Sequence, residues 1–234
     1  MKNADALRST LNRIDGRGYK AYRDLEGEYD FGSFRLLIDR VQGDPYAAPS
    51  RLIVTVDQNR AVFPDNTFHN RSRRIALCDY LTRRFHDAAR RIAKGRRGSG
   101  KGGRIEIDAP GQEILERSSI DIDPERITAR FFLGLPAFGR RIAGQHAEAM
   151  LCTELPEIVR EALFFDSLDA GHLYRHIETA EDADALRVAL PERGLIAFIA
   201  DHAVLPRVSG IDARPLQGDR VVPFRSPPER RAEI

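Results

Sequence analysis

Two cysteines, Cys78 and Cys152, in a chain of 234 residues cannot build a disulfide framework, and they point to a reducing, cytoplasmic compartment. No apolar run approaches the roughly 20 residues that a membrane helix needs. The longest, near Leu195 to Ala200, has the length of a strand. The opening MKNADALRST lacks the apolar stretch of a signal peptide. Membrane-spanning, secreted-scaffold and collagen-like classes are thereby excluded. Tryptophan is missing altogether, which argues for no class. A strong charge of one sign is also missing, since the formal net charge is +2. With 42% hydrophobic residues the chain can bury a core without metal or disulfide staples.

The near-neutral total hides an uneven distribution. Residues 71–104 carry 12 Lys and Arg against only Asp79 and Asp87, a net charge of +10. Residues 105–204 carry 9 basic against 19 acidic side chains, a net charge of −10. Clustered Lys and Arg attract polyphosphate backbones through counterion release and direct hydrogen bonds. The opposed explanation is that the acidic half folds onto the basic half and neutralises it.

Hydrophobic periodicity gives a coarse map. Leu7, Leu11 and Ile14 recur at helical spacing, so a helix near 3–15 is expected. Phe34, Leu36 and Ile38 alternate, and RLIVTVD (51–57) is short and β-branched. The GDPYAAPS connection (43–50) is too short for a crossover helix, so the two strands are expected to pair antiparallel. Leu77, Leu81, Phe85, Ala88 and Ile92 form one stripe on a helix over 71–93. Arg83, Arg90 and Lys94 fall opposite that stripe. The next segment, GRRGSGKGGR (95–104), has five glycines and reads as an exposed, mobile loop. Further strands are expected at 104–108, 126–133 and, as a central strand, 194–200, with the segment 113–122 lying between the first two. Helices are expected at 140–151, 155–165 and 181–190, the last capped by Thr179. The fold class is α+β with a mixed or largely antiparallel sheet. One domain over 1–213, divisible at 104/105, would be followed by a linker or tail over 214–234.

Few residues carry an obvious chemistry. Gly95, Gly100 and Lys101 satisfy GxxxxGK, but Gly102 stands where a phosphate loop places the Ser or Thr that ligates Mg²⁺. The segment also follows a helix and opens a strand, the reverse of a phosphate loop. His172 and His176 share a helical face without the rest of a zinc motif. No carboxylate pair is singled out by spacing, and no GxSxG elbow is present.

Several long phrases together resemble the N-terminal region of the ATPases of the ABC class. They are DRVQGDPYAAPSR (39–51), GSGKGGRIEIDAPGQEILERSS (98–119), ARFFLGLPAFGRRIAG (129–144), GLIAFIADHAVLPRVSGIDARP (194–215) and VVPFRSP (221–227). Gly102 departs from the Ser often found in that family, and His202 from an expected Gly. The resemblance implies an ATPase that uses ATP and Mg²⁺ through motifs downstream of these segments, so this chain alone is expected to be inactive. No nucleotide ligand is carried onto any residue here. Family relatives associated with RNA agree with the basic block.

The reading is therefore an accessory domain of an ABC-class ATPase that contacts nucleic acid, RNA among the options. Arg83, Arg90 and Lys94 would grip phosphates from the helix, and Arg96, Arg97, Lys101 and Arg104 from the loop. No catalytic or metal-binding residue is assigned. Two alternatives remain: a structural or dimerisation domain supporting a downstream ATPase core, and a stand-alone phosphate-handling enzyme built on the Lys101 loop.

Overall fold

Alternation in the sequence becomes a sheet with one wet and one dry face. In the computed structural model, which describes residues 2–93, 95, 97–210, 215–218 and 221–225, seven strands form a mixed sheet. The strands are β1 (Lys2–Asn3), β2 (Gly27–Asp30), β3 (Arg35–Arg40), β4 (Ser50–Asp57), β5 (Ile105–Glu106), β6 (Ile120–Ile122) and β7 (Arg126–Leu133). Their order is β1-β2-β3-β4-β7-β5, and β6 shares the β7 edge with β5. Only β1 and β2 run parallel; the other pairs are antiparallel, as the short 43–50 connection requires. The fold class is α+β, with six α-helices against this sheet and a small hairpin, β8 (Ala137–Phe138) with β9 (Arg141–Ile142).

Leu52, Val54 and Val56 of β4 face inward with Ile127, Ala129, Phe131 and Leu133 of β7. Arg51, Ile53 and Thr55 therefore face outward, opposite Phe132, Arg130 and Thr128 in the register. The inner face packs on helices α1 (Ala4–Ile14), α3 (Arg71–Ile92) and α5 (Leu155–Leu163). Helix α1 starts where Asn3 caps it, its side chain accepting from the Ala6 amide. Helix α3 starts at Asn70 in the same way and buries Leu77, Leu81, Phe85 and Ala88. A four-residue helix, α2 (Gln58–Ala61), follows β4.

Several expectations need correction. The helix expected over 140–151 is α4 (Gly144–Ala149), which runs through a π-helical turn (Met150–Glu154) straight into α5. In the 113–122 segment, Ile120–Ile122 pair with β7 as β6. Thr179 caps nothing, because α6 spans Ala170–Ala189 and encloses it. Leu173 and Ile177 are buried, so packing extends the helix upstream of the local capping signal, to Ala170.

The chain divides into two compact units, Met1–Pro110 with Ile114–Ala180, and Gly111–Glu113 with Glu181–Ile234. The sheet, the hairpin and α1–α5 belong to the first. In the second, residues 194–200 are not the central strand that their composition suggests. They pair with no strand among the described residues, and Ile196 is 99% exposed. A strand is stabilised by its neighbours, so β-propensity without a ladder leaves irregular chain. His202 takes a left-handed backbone (φ 66°), a conformation in which glycine is unstrained. Its amide donates to the Phe224 carbonyl at 2.7 Å.

Candidate functional site

The glycine-rich segment after α3 is neither loose nor fully exposed. Gly102 and Gly103 are buried, and their neighbours are fastened to three other parts of the chain. The Ser99 amide donates to the Ala137 carbonyl at 2.7 Å, and the Lys101 amide to the Pro45 carbonyl at 3.0 Å. The Gly103 amide donates to Gly134 at 2.9 Å, and the Gly134 amide returns a bond to Arg104 at 2.9 Å. The Ser99 hydroxyl oxygen accepts from the Gly139 amide. The glycines are there because backbones meet. A Cβ at Gly100 would stand 2.0 Å from the Pro45 carbonyl oxygen, and one at Gly134 would stand 1.9 Å from that of Lys101. The local composition that suggests mobility thus serves close packing. Tyr19 and Tyr22 hold the far side of this joint, donating to the Leu135 and Pro136 carbonyls at 3.1 and 2.6 Å. Burial raises both phenols above the usual tyrosine range.

This geometry settles whether a nucleotide fits the GxxxxGK segment. A phosphate cradle needs free amides, yet those of Arg97, Ser99, Lys101, Gly102 and Gly103 all donate to protein carbonyls. A side chain at 102 would meet the Arg97 carbonyl oxygen at 2.6 Å, leaving no room for the Mg²⁺-binding hydroxyl. Among the described residues no group of three or more His, Cys, Asp or Glu converges as metal ligands. ATP and Mg²⁺ therefore do not fit this segment. Neither thiol is an active nucleophile: burial pushes Cys78 up to about 12 and Cys152 up to about 11.

The basic block separates into engaged and available cations. Arg71 and Arg74 reach Glu116 at 2.7 and 3.5 Å, and Arg71 holds that carboxyl below its ordinary range. Arg91 pairs with Glu161, and Arg97 is half-buried against Glu154 on the π-helical turn. Arg83 lies opposite the apolar stripe by periodicity, and its side chain, 35% exposed, is turned onto a buried carboxylate. It bonds Asp79 at 2.8 and 3.2 Å through two guanidinium nitrogens. Arg90, Lys101 and Arg104 are exposed. Arg104 lies 3.4 Å from Glu106, while Arg90 and Lys101 make no ion pair with any described residue. Lys94 and Arg96 fall outside the described residues.

Asp79 carries no exposed side-chain surface. His176 Nε2 sits 3.2 Å away from it, near enough to pair but poorly aligned for a hydrogen bond. The rings of His172 and His176 both pack on Tyr80, which accounts for their shared helical face without any metal. Burial raises the Asp79 carboxyl, but His176 and Arg83 outweigh it and leave the group below the usual carboxylate range. Arg83→Ala removes the better partner of a buried carboxylate, so about 1–3 kcal/mol of stability should be lost. The folded-state value is depressed, so this stabilisation is complete above about pH 4 and fades as pH falls through the folded value. Urea midpoints of wild type and Arg83→Ala between neutral and acidic pH should therefore converge. A difference unchanged at low pH would show that the Asp79 charge is not involved.

Lys101 and Arg104 line an open cleft of about 270 Å³ with Pro49, Glu106, Phe132 and Gly134. Its continuation, of about 530 Å³, adds Arg51, Arg130, Ser118 and Ser119 from the outer face of the sheet. Three aromatic side chains are exposed: Tyr46 (71%), Phe132 (40%) and Phe138 (62%). Each adjoins a backbone contact of residues 98–104. Tyr46 follows Pro45, Phe138 follows Ala137, and Phe132 lies two residues before Gly134, which exchanges hydrogen bonds with Gly103 and Arg104. Sequence reasoning misses them because they are remote from the basic block. The only signal available is that Phe132 falls on the outward register of an otherwise well-patterned strand.

Comparison with known families supplies the rest. The profile for the N-terminal region of ATPases of the ABC class matches residues 4–166, and that for the P-loop domain of ABC ATPases matches residues 169–234. No curated protein matches the chain. Since the first profile alone covers well over half of the chain, this chain belongs to the ATPases of the ABC class, a family of P-loop proteins that use nucleotide and Mg²⁺.

Proposed function

We propose that this chain is an accessory N-terminal part of an ABC-class ATPase and that it contacts nucleic acid through the cations beside its glycine-rich loop. The observation that carries this reading is the pair Lys101 and Arg104, exposed in one open cleft with Glu106, while Asp108 lines only its continuation. A cation already matched to a buried carboxylate has little to offer a phosphate, so Arg83 and Arg97 are left out of the contact surface. Arg90, exposed in the last turn of α3, is a further cation open to a phosphate. The role is binding, and no bond is made or broken by these residues.

A second reading has its own observation. Arg71, Arg74, Arg91 and Arg97 pair with Glu116, Glu161 and Glu154 from the acidic half, as a purely structural domain would arrange them. Titrating salt against a fluorescent oligonucleotide separates the two. Lys101→Ala with Arg104→Ala should flatten the slope of log K against log[salt] by roughly 1.4–1.8, the counterions of two phosphate contacts. Melting temperature should stay unchanged, because both side chains are exposed. A wild-type slope in the double variant would leave the structural reading.

A further inference from the structure

We propose that the surface around the glycine-rich loop is a stacking platform for single-stranded nucleic acid, on which Tyr46, Phe132 and Phe138 receive bases while Lys101, Arg104 and Arg140 hold phosphates. This rests on the polyanion contact proposed above and adds what that contact reads.

Single exposed apolar side chains are ordinary on any protein. What needs a cause is their placement. The described exposed aromatics number three, and all three stand on segments bonded to residues 98–104. The exposed aliphatic side chains of the same unit, Val62, Ile114 and Leu115, belong to other segments, so the loop gathers rings rather than general apolar surface. A site for an apolar protein partner would mix the two kinds. The charge around the rings also points to an anion. Arg140, on the hairpin beside Phe138, is 88% exposed and touches Asp44 only at 3.9 Å. Around Phe132 the cleft and its continuation are lined by Lys101, Arg104, Arg51 and Arg130 against Glu106 and Asp108.

Rings flanked by cations suit a strand whose bases are free to leave one another. Base-on-ring stacking tolerates any sequence because every base has a π-face, and the cations follow the backbone. A duplex buries its base faces in its own stack and would have to open first. The fastened loop contributes stiffness. Because Ser99, Lys101 and Gly103 are each hydrogen-bonded to a different neighbour, the three ring-bearing segments are held as one frame and lose little freedom on binding.

The test uses the whole chain with oligo(dT), oligo(U) and a blunt duplex of equal length. Both single strands should bind more tightly than the duplex, and preference between dT and U distinguishes DNA from RNA. Replacing Tyr46, Phe132 and Phe138 together by Leu should weaken single-strand binding at least about 10-fold. The salt slope should not change, because no phosphate contact is lost. The chain has no tryptophan, so Phe138→Trp alone gives a clean emission signal, quenched when a base stacks on it. The single reporter variant also covers the case in which the triple variant fails to fold. Full-strength binding by the folded triple variant, or a bound reporter without quenching, would overturn the platform while leaving the cation contact intact. Loss of the Lys101/Arg104 slope change would overturn the cation contact itself. Self-association that the Leu variant abolishes would instead assign the rings to a second copy of the chain.

Discussion

Phe85→Ala is expected to lower the unfolding free energy by about 3–5 kcal/mol, the largest single effect available in this chain. Phe85 is completely buried at the centre of the α3 stripe. Its ring meets that of Phe131, on the inner face of β7, with centroids 5.1 Å apart. The substitution therefore removes the contact that joins helix to sheet, and it leaves a hole lined by residues fixed in two different elements. A hole between two rigid layers collapses poorly, which puts the loss at the upper end for its chemistry. Arg90→Ala, exposed on the same helix, should move stability by no more than about 0.5 kcal/mol. Denaturant midpoints of the two variants measure the contrast. Equal shifts would mean that α3 does not present this face to the sheet.

Gly100→Ala is expected to cost about 2–5 kcal/mol and to release the loop. Two penalties add. The backbone at Gly100 has φ +61°, where a Cβ costs about 1–2 kcal/mol. The new methyl would also lie 2.0 Å from the Pro45 carbonyl oxygen, so one backbone must move, at a further cost of about 1–3 kcal/mol. Gly139→Ala separates the two contributions. It has φ +63° but nothing within 4 Å, so only the conformational penalty of about 1–2 kcal/mol should remain. Thermal melts of both variants give the stability difference. Amide exchange at Lys101 should accelerate in Gly100→Ala and not in Gly139→Ala. Similar behaviour in both would mean that the loop is not fastened at Pro45.

The substantial elements were legible in the sequence wherever their pattern was long and amphipathic. The Leu77–Leu81–Phe85–Ala88 stripe and the alternation in β3, β4 and β7 each encode one buried face, and that face is a local property. The family resemblance was legible too, from phrases spread across the chain. The candidate site was legible only in part. Lys101, Arg90 and Arg104 emerge as exposed cations, but equally basic Arg83 and Arg97 do not. Which arginine is captured depends on where Asp79 and Glu154 are placed. The π-helical turn that carries Glu154 has no signature in composition.

By itself, then, the sequence determined the α+β class, the helices and strands with a single apolar face, the absence of a membrane-length apolar run, and membership of the ABC-class ATPases. Tertiary structure alone decided the rest. It turned Gly98, Gly100, Gly102 and Gly103 from an apparently mobile loop into a packed joint, because only contact between backbones shows why Cβ atoms are excluded there. It brought Tyr46 to that joint together with Phe132 and Phe138, which lie far along the chain from it. It also left GLIAFIA without a ladder in the described chain, although its composition is the most strand-like of all. The physical reason is the same each time. Amphipathic periodicity is a short-range property written into neighbouring residues, whereas a strand's partner, an arginine's carboxylate and a glycine's opposing carbonyl are contacts that the chain creates only on folding.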